Sequence, residues 1–144
     1  MRRARRVLDR TPAGKVVAAT GMADVQEIVA AYAAAWNEPD TAARRRALDR
    51  AWAEGGIYSD PTACVEGRDA LVAHIGGFHP QMPGARILLT SGVDAHHGAI
   101  RFTWALRAAD GTIVTEGIDF GELADDGRLR RITGFFGPPP IAAS

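Results

Sequence analysis

The sequence predicts an α+β domain in which three helices cover one face of a curved antiparallel sheet. Three observations predict it. Apolar residues recur at helical spacing between Val25 and Trp36, and again ahead of Gly55-Gly56 and Gly76-Gly77. From Arg86 onward the spacing changes to the two-residue alternation of strands. Two Asp-Gly pairs, Asp110-Gly111 and Asp126-Gly127, punctuate that second half as hairpin turns.

The first helix opens at Asp24, with Glu27 three residues on as a capping-box-like pair. Its apolar stripe is Val25, Ile28, Val29, Tyr32 and Trp36. Asn37-Glu38-Pro39-Asp40 ends it, and Asp40 caps a second helix running to about Trp52, with Leu48, Ala51 and Trp52 inward. Arg44, Arg45 and Arg46 read as a solvated face and Gly55-Gly56 as the stop. A short strand from Ile57 to Asp60 is closed by Pro61, and Cys64 falls in the loop beyond it. The third helix begins near Arg68-Asp69, carries Leu71, Val72, His74 and Ile75, and is expected to stop at Gly76-Gly77. Pro80, Pro83 and Gly84 then make a loop. Four antiparallel strands follow, over 86–91, 99–106, 112–120 and 129–136, before Pro138-Pro139-Pro140 ends the fold. Such a sheet wraps the first helix and leaves a cone with an apolar central pocket, a default small-molecule site.

A chain of 144 residues, 47% apolar and 24% charged, is one domain with room for a core. It has no run of 18 apolar residues, so no membrane span is expected. The one cysteine, Cys64, leaves no internal disulfide, which fits a reducing cytoplasm. Net charge is zero but unevenly spread. Residues 1–22 hold six basic groups against Asp9, about +5, and the rest of the chain is about −5, which argues against a nucleic-acid-binding core. Residues 1–21 therefore read as a loosely held basic extension, without the apolar stretch of a secretory signal. Residues 22–137 read as the folded domain and 138–144 as a tail.

Three polar residues stand where a purely structural pattern calls for apolar ones. Tyr32 lies on the stripe of the first helix, Asp60 ends the first strand, and Asp119 lies within the β-rich half. Two acids and a phenol facing one apolar cavity make a proton-transfer site, because such a cavity shifts titratable groups away from their ordinary values. Alternation puts Asp119 on one face with Ile113, Thr115 and Gly117, Gly117 leaving room for a ligand. Trp36, Trp52, His74, Phe78, Ile100, Phe102, Trp104, Ile132, Gly134 and Phe136 are the other candidates for the cavity wall. The plain alternatives are that Asp60 caps the turn at Pro61, and that Asp119 pairs with Arg101 or Arg131. His96 and His97 are adjacent on a strand-like segment and are expected to point to opposite faces, so no metal site is read here. No phosphate-binding loop or other cofactor motif is present.

The layout, with AYAAAWNEPD, IYSDP, EGRDAL, FTWAL and GIDFGELADDGRLRRITGFFG, resembles the nuclear transport factor 2-like superfamily, across about residues 22–137. Its enzymatic branches include ketosteroid isomerases and SnoaL-like polyketide cyclases. By that resemblance, Asp60 before Pro61 takes the place of the isomerases' general base, and Tyr32 that of the oxyanion tyrosine. Asp119, eight residues before Gly127, takes that of the second oxyanion donor, an aspartic acid kept protonated by an apolar site. Trp52 and Ile75 stand where those isomerases carry supporting tyrosines. The resemblance implies a cofactor-independent enzyme on a hydrophobic carbonyl compound, with a SnoaL-like aldol cyclase or a non-catalytic binding module as alternatives. It also implies a homodimer packed through the outer sheet face, where Val114, Ile118 and Phe120 lie.

Overall fold

The computed structural model describes residues 24–143, and the basic extension at 1–21 lies outside them. Helix α1 (Val25–Trp36) starts where Asp24 accepts from Gln26 N at 3.3 Å. It buries Ile28, Val29 and Tyr32, as its stripe requires. Asn37 then ties the helix end to the sheet, its amide giving and taking bonds of 2.9 and 2.7 Å with Ile87. Helix α2 (Thr41–Ala51) is capped by Asp40, which accepts from Ala43 N at 2.9 Å.

Beyond α2 come β1 (Trp52–Asp60), β2 (Ala63–Glu66), α3 (Arg68–Gln81), β3 (Arg86–Leu89), β4 (Asp94–His96), β5 (Ala99–Arg107), β6 (Ile113–Leu123) and β7 (Leu129–Phe136). The seven strands form one curved sheet in the order β2-β1-β7-β6-β5-β3, with β4 also on β5. The sheet is mixed rather than wholly antiparallel, because β1 joins β7 in parallel register through Tyr58 and Ile132. The Asp-Gly turns work as expected. Thr112 N and Arg128 N donate to Asp110 and Asp126, while Gly111 and Gly127 take positive φ.

Both glycine pairs lie inside elements instead of ending them, and one glycine of each pair meets a close approach. A Cβ on Gly56 would stand 2.6 Å from the Trp52 indole nitrogen, at the irregularity of β1 between Trp52 and Ile57. A Cβ on Gly76 would stand 2.9 Å from the Arg44 guanidinium, and α3 runs on through Pro80 to Gln81. Arg44 itself is 2% exposed, not part of a solvated face. It donates to the carbonyls of Glu38, Pro39 and Val72 at 3.0–3.1 Å, joining the α1–α2 loop to α3. Arg45 and Arg46 are exposed.

Cys64 sits in strand β2 rather than in a loop, and is exposed. His96 and His97 do not point apart. His97 has φ of 50°, which turns the chain out of the strand and brings the two Nδ1 atoms to 3.2 Å. The core under the sheet's concave face joins Val29, Leu48, Trp52, Leu71, Ile75, Leu129 and Ile132. No helix of the described residues is long and apolar enough to cross a membrane.

Candidate functional site

The helices cover only part of the concave face, and a cavity of about 540 Å³ remains between α1, α3 and the sheet. That size suits a drug-sized ligand. Its wall brings together Tyr32 and Trp36 from α1, Asp60 from β1, His74 and Phe78 from α3, Phe102 and Trp104 from β5, Asp119 from β6 and Phe136 from β7. Trp52, Ile100 and Ile132 lie in the core outside that wall. Trp52 stacks on the ring of Tyr32, centroids 5.7 Å apart. Gly117 opens no space for a ligand, because a Cβ there would meet the Trp104 indole at 2.2 Å.

The two acids are held by register. Asp119 pairs with Gly134 across β6 and β7, and Asp60 lies on the other side of the same glycine. A Cβ on Gly134 would approach Asp119 Oδ1 to 2.8 Å and the Asp60 Cβ to 3.6 Å. A glycine at this point lets the Asp119 carboxylate lean over the middle strand, with the Asp60 Cβ on its other side.

Their environments then drive them apart. Asp119 is 6% exposed, and Trp104 Nε1 donates to its Oδ1 at 2.9 Å. Burial pushes its carboxyl up to about 7, the Trp104 bond restraining the rise and the Asp60 charge adding to it. Neither arginine reaches it, and Arg101 pairs with Asp94 instead. For Asp60, burial acts upward but is outweighed by hydrogen bonds from Tyr58 and Thr62 and by His74, so the group lies below the ordinary carboxylate range. Its Oδ1 caps the turn, accepting from Thr62 N and Oγ1 at 2.7 Å and from Ala63 N at 3.0 Å. Its Oδ2 accepts from the Tyr58 hydroxyl. Tyr32 is driven well above the usual phenol range by burial and by the nearby Asp119 and Tyr58, and stays a neutral donor.

At neutral pH the cavity therefore combines an ionised carboxylate, a carboxyl near its midpoint and a neutral phenol. Such divergence between neighbouring acids is the pattern from which acid and base roles are assigned. Among the described residues, the wall contains no lysine or arginine. Among the described residues, no three His, Cys, Asp or Glu side chains group as a metal site. Sequence reasoning missed Tyr58, which also lines the cavity. The signal was there, since Tyr58 precedes Asp60 by two positions and a strand returns to the same face with that period.

The SnoaL-like domain profile matches residues 29–132. The chain belongs to the SnoaL-like family. A SnoaL-like protein from Agrobacterium tumefaciens strain C58, named as a candidate isomerase, is 36% identical, with 80% of this chain and 100% of that one covered at a TM-score of 0.74. A candidate SnoaL-like polyketide cyclase from Jannaschia sp. CCS1 is 14% identical, with 82% and 91% covered at 0.59. A protein of ketosteroid isomerase-like fold from Catenulispora acidiphila, in complex with trimethylamine, is 16% identical, with 75% and 83% covered at 0.60. The last two likenesses show the fold that SnoaL-like proteins share with this superfamily. No curated protein matches the sequence.

Proposed function

We propose that this SnoaL-like protein is an acid–base enzyme acting on a hydrophobic carbonyl compound, with double-bond isomerisation as its nearest reaction. The observation that carries the reading is the ionised Asp60 and the near-neutral Asp119 on the wall of one aromatic cavity with Tyr32. Asp60 takes a proton from the carbon next to the carbonyl; the C–H electron pair forms the new C=C bond, and the carbonyl π pair shifts onto oxygen. Tyr32 and protonated Asp119 donate to that oxygen as its charge develops. Asp60 then returns the proton to the far end of the dienolate, so atoms and charge balance without a cofactor. Among the described residues, a wall with two acids and, besides His74, no basic residue favours a neutral substrate over an anionic one. The Agrobacterium relative's name supports isomerisation.

An aldol-type cyclisation uses the same base and enolate, and the Jannaschia relative's name is its support. A non-catalytic ligand-binding module draws on a different observation, the three turn bonds that already occupy Asp60 Oδ1. The test is ultraviolet detection of conjugated enone from a β,γ-unsaturated ketosteroid, comparing wild type with Asp60→Asn. Turnover that vanishes in the variant supports the base. A folded wild type with no turnover above buffer removes steroid isomerisation and leaves the cyclase and the binding module.

The working unit in this reading is a homodimer. Val114, Phe120 and Phe135 expose 50%, 43% and 52% of their surface, and Phe120 and Phe135 pack edge to face on the sheet's outer side. A second copy covering that face would remove it from water.

A further inference from the structure

We propose that Tyr58 is the positioning residue of this site: with Oδ1 of Asp60 taken up by its own turn, the Tyr58 hydroxyl fixes Oδ2 and leaves one side of it to take a ligand's proton. The inference rests on the acid–base reading above and adds a residue to it.

A carboxylate has about four acceptor positions, two on each oxygen. Asp60 Oδ1 receives three donors, Thr62 N, Thr62 Oγ1 and Ala63 N, all within its own turn. Oδ2 receives one, the Tyr58 hydroxyl. The remaining capacity to accept a proton is thus on Oδ2, beside Tyr58. A phenol has a single hydrogen to donate, and here it is committed to this bond.

The phenol is also fixed in place. Its ring centroid lies 5.6 Å from those of Trp36 and His74, and Tyr58 is 6% exposed. Packing against helices α1 and α3 therefore sets where the hydroxyl stands, which is what preorganises a catalytic group. The isomerase-like tyrosines absent at Trp52 and Ile75 would have supported Tyr32. In this chain Trp52 stacks on Tyr32, and the supporting tyrosine serves the base instead.

The bond has a direction in energy as well as in space. It is stronger to the ionised carboxylate than to the acid, so it restrains proton abstraction and favours proton return. The O–H bond formed on Oδ2 as the substrate C–H breaks is then readily surrendered to the second carbon. Among the described residues, the other titratable groups on the wall with Asp60 are His74 from α3, Asp119 from β6 and Tyr32 from α1.

The test is a carboxyl carbon-13 NMR titration of aspartate-labelled protein, with the Asp60 resonance identified by its loss in Asp60→Asn. Tyr58→Phe should move the Asp60 midpoint upward, while Tyr32→Phe should leave it in place. In wild type labelled on tyrosine, the Tyr58 ring carbon bearing oxygen should shift across the Asp60 titration. An unmoved Asp60 midpoint in folded Tyr58→Phe overturns the proposal. So does a Tyr58 resonance that ignores Asp60, a measurement that needs no variant to fold. The readout requires no turnover. Enone formation with an unmoved midpoint would therefore remove Tyr58 alone. A moved midpoint without enone formation would keep the Tyr58–Asp60 coupling and remove isomerisation.

Discussion

The indole N–H of Trp104 donates to Oδ1 of Asp119 across 2.9 Å, inside the protein and fifteen residues away along a hairpin. Because that oxygen is the acceptor, a proton on Asp119 belongs on Oδ2, which makes the carboxyl a directed donor. Trp104→Phe should therefore keep the aromatic wall and lose the direction. The bond lowers the Asp119 midpoint, so the variant's midpoint should rise above wild type, read by the same carbon-13 titration. If Asp119 serves as the proposed oxyanion donor, enone formation should fall, by less than the roughly 10²–10³-fold that removing such a donor costs.

Asp119 also makes stability depend on pH in a window that its two midpoints define. In the unfolded chain it ionises near pH 4, and in the folded one at about 7. Between them unfolding releases a proton, so stability falls as pH rises through that window and levels off above it. The full effect is on the order of 4 kcal/mol. Asp119→Asn keeps an acceptor for Trp104 and removes the dependence. Its melting temperature should gain on wild type steadily from about pH 4 to about pH 7 and hold that lead beyond. A constant difference across the series would contradict the assignment.

Gly134 is the hinge point between the two acids, and alanine there tests it. The added methyl carbon would stand 2.8 Å from Asp119 Oδ1, a contact that only a displaced Asp119 relieves. Gly134→Ala should cost about 1–3 kcal/mol in urea unfolding. It should also weaken binding of a naphthol, a fluorescent stand-in for an enolate. Gly55→Ala, with nothing near the added carbon, serves as the control.

Arg44 and its neighbours should separate sharply. Arg44→Met strands the carbonyls of Glu38, Pro39 and Val72, and should cost about 3 kcal/mol or more. Arg46→Ala, on the exposed side of the same helix, should stay within about 0.5 kcal/mol of wild type. Chemical unfolding at neutral pH checks both.

The outer sheet face should respond to charge. Phe135→Glu places a carboxylate in the exposed Phe120–Phe135 patch. If a second copy covers that face, light scattering should change from dimer mass in wild type to monomer mass in the variant, with the same melting profile at low concentration.

Much of this architecture was legible in the chain because it is local. Caps at Asp24 and Asp40, the stripe of α1, the alternation of β5 and the two Asp-Gly turns each depend on residues within a few positions of one another. Tyr32, Asp60 and Asp119 stood out for the same reason, as polar breaks in local patterns.

Several of the misreadings share one cause. A glycine pair looks like a helix stop until a larger side chain is found filling the space above one of its members, as Trp52 of the same strand does at Gly56 and Arg44 of α2 at Gly76. A run of three arginines looks solvated until three carbonyls, one of them 28 residues along the chain, close around the first. Gly117 looked like room for a ligand, and the Trp104 ring occupies it. Residue types and periodicity thus settled the helices, the hairpins and which side chains were chemically unusual. Tertiary packing decided what those side chains do. Burial depth, the partner of each carboxylate oxygen and the gap at Gly134 arise only where strands distant in sequence lie side by side, and those are the quantities that set a proton's energy.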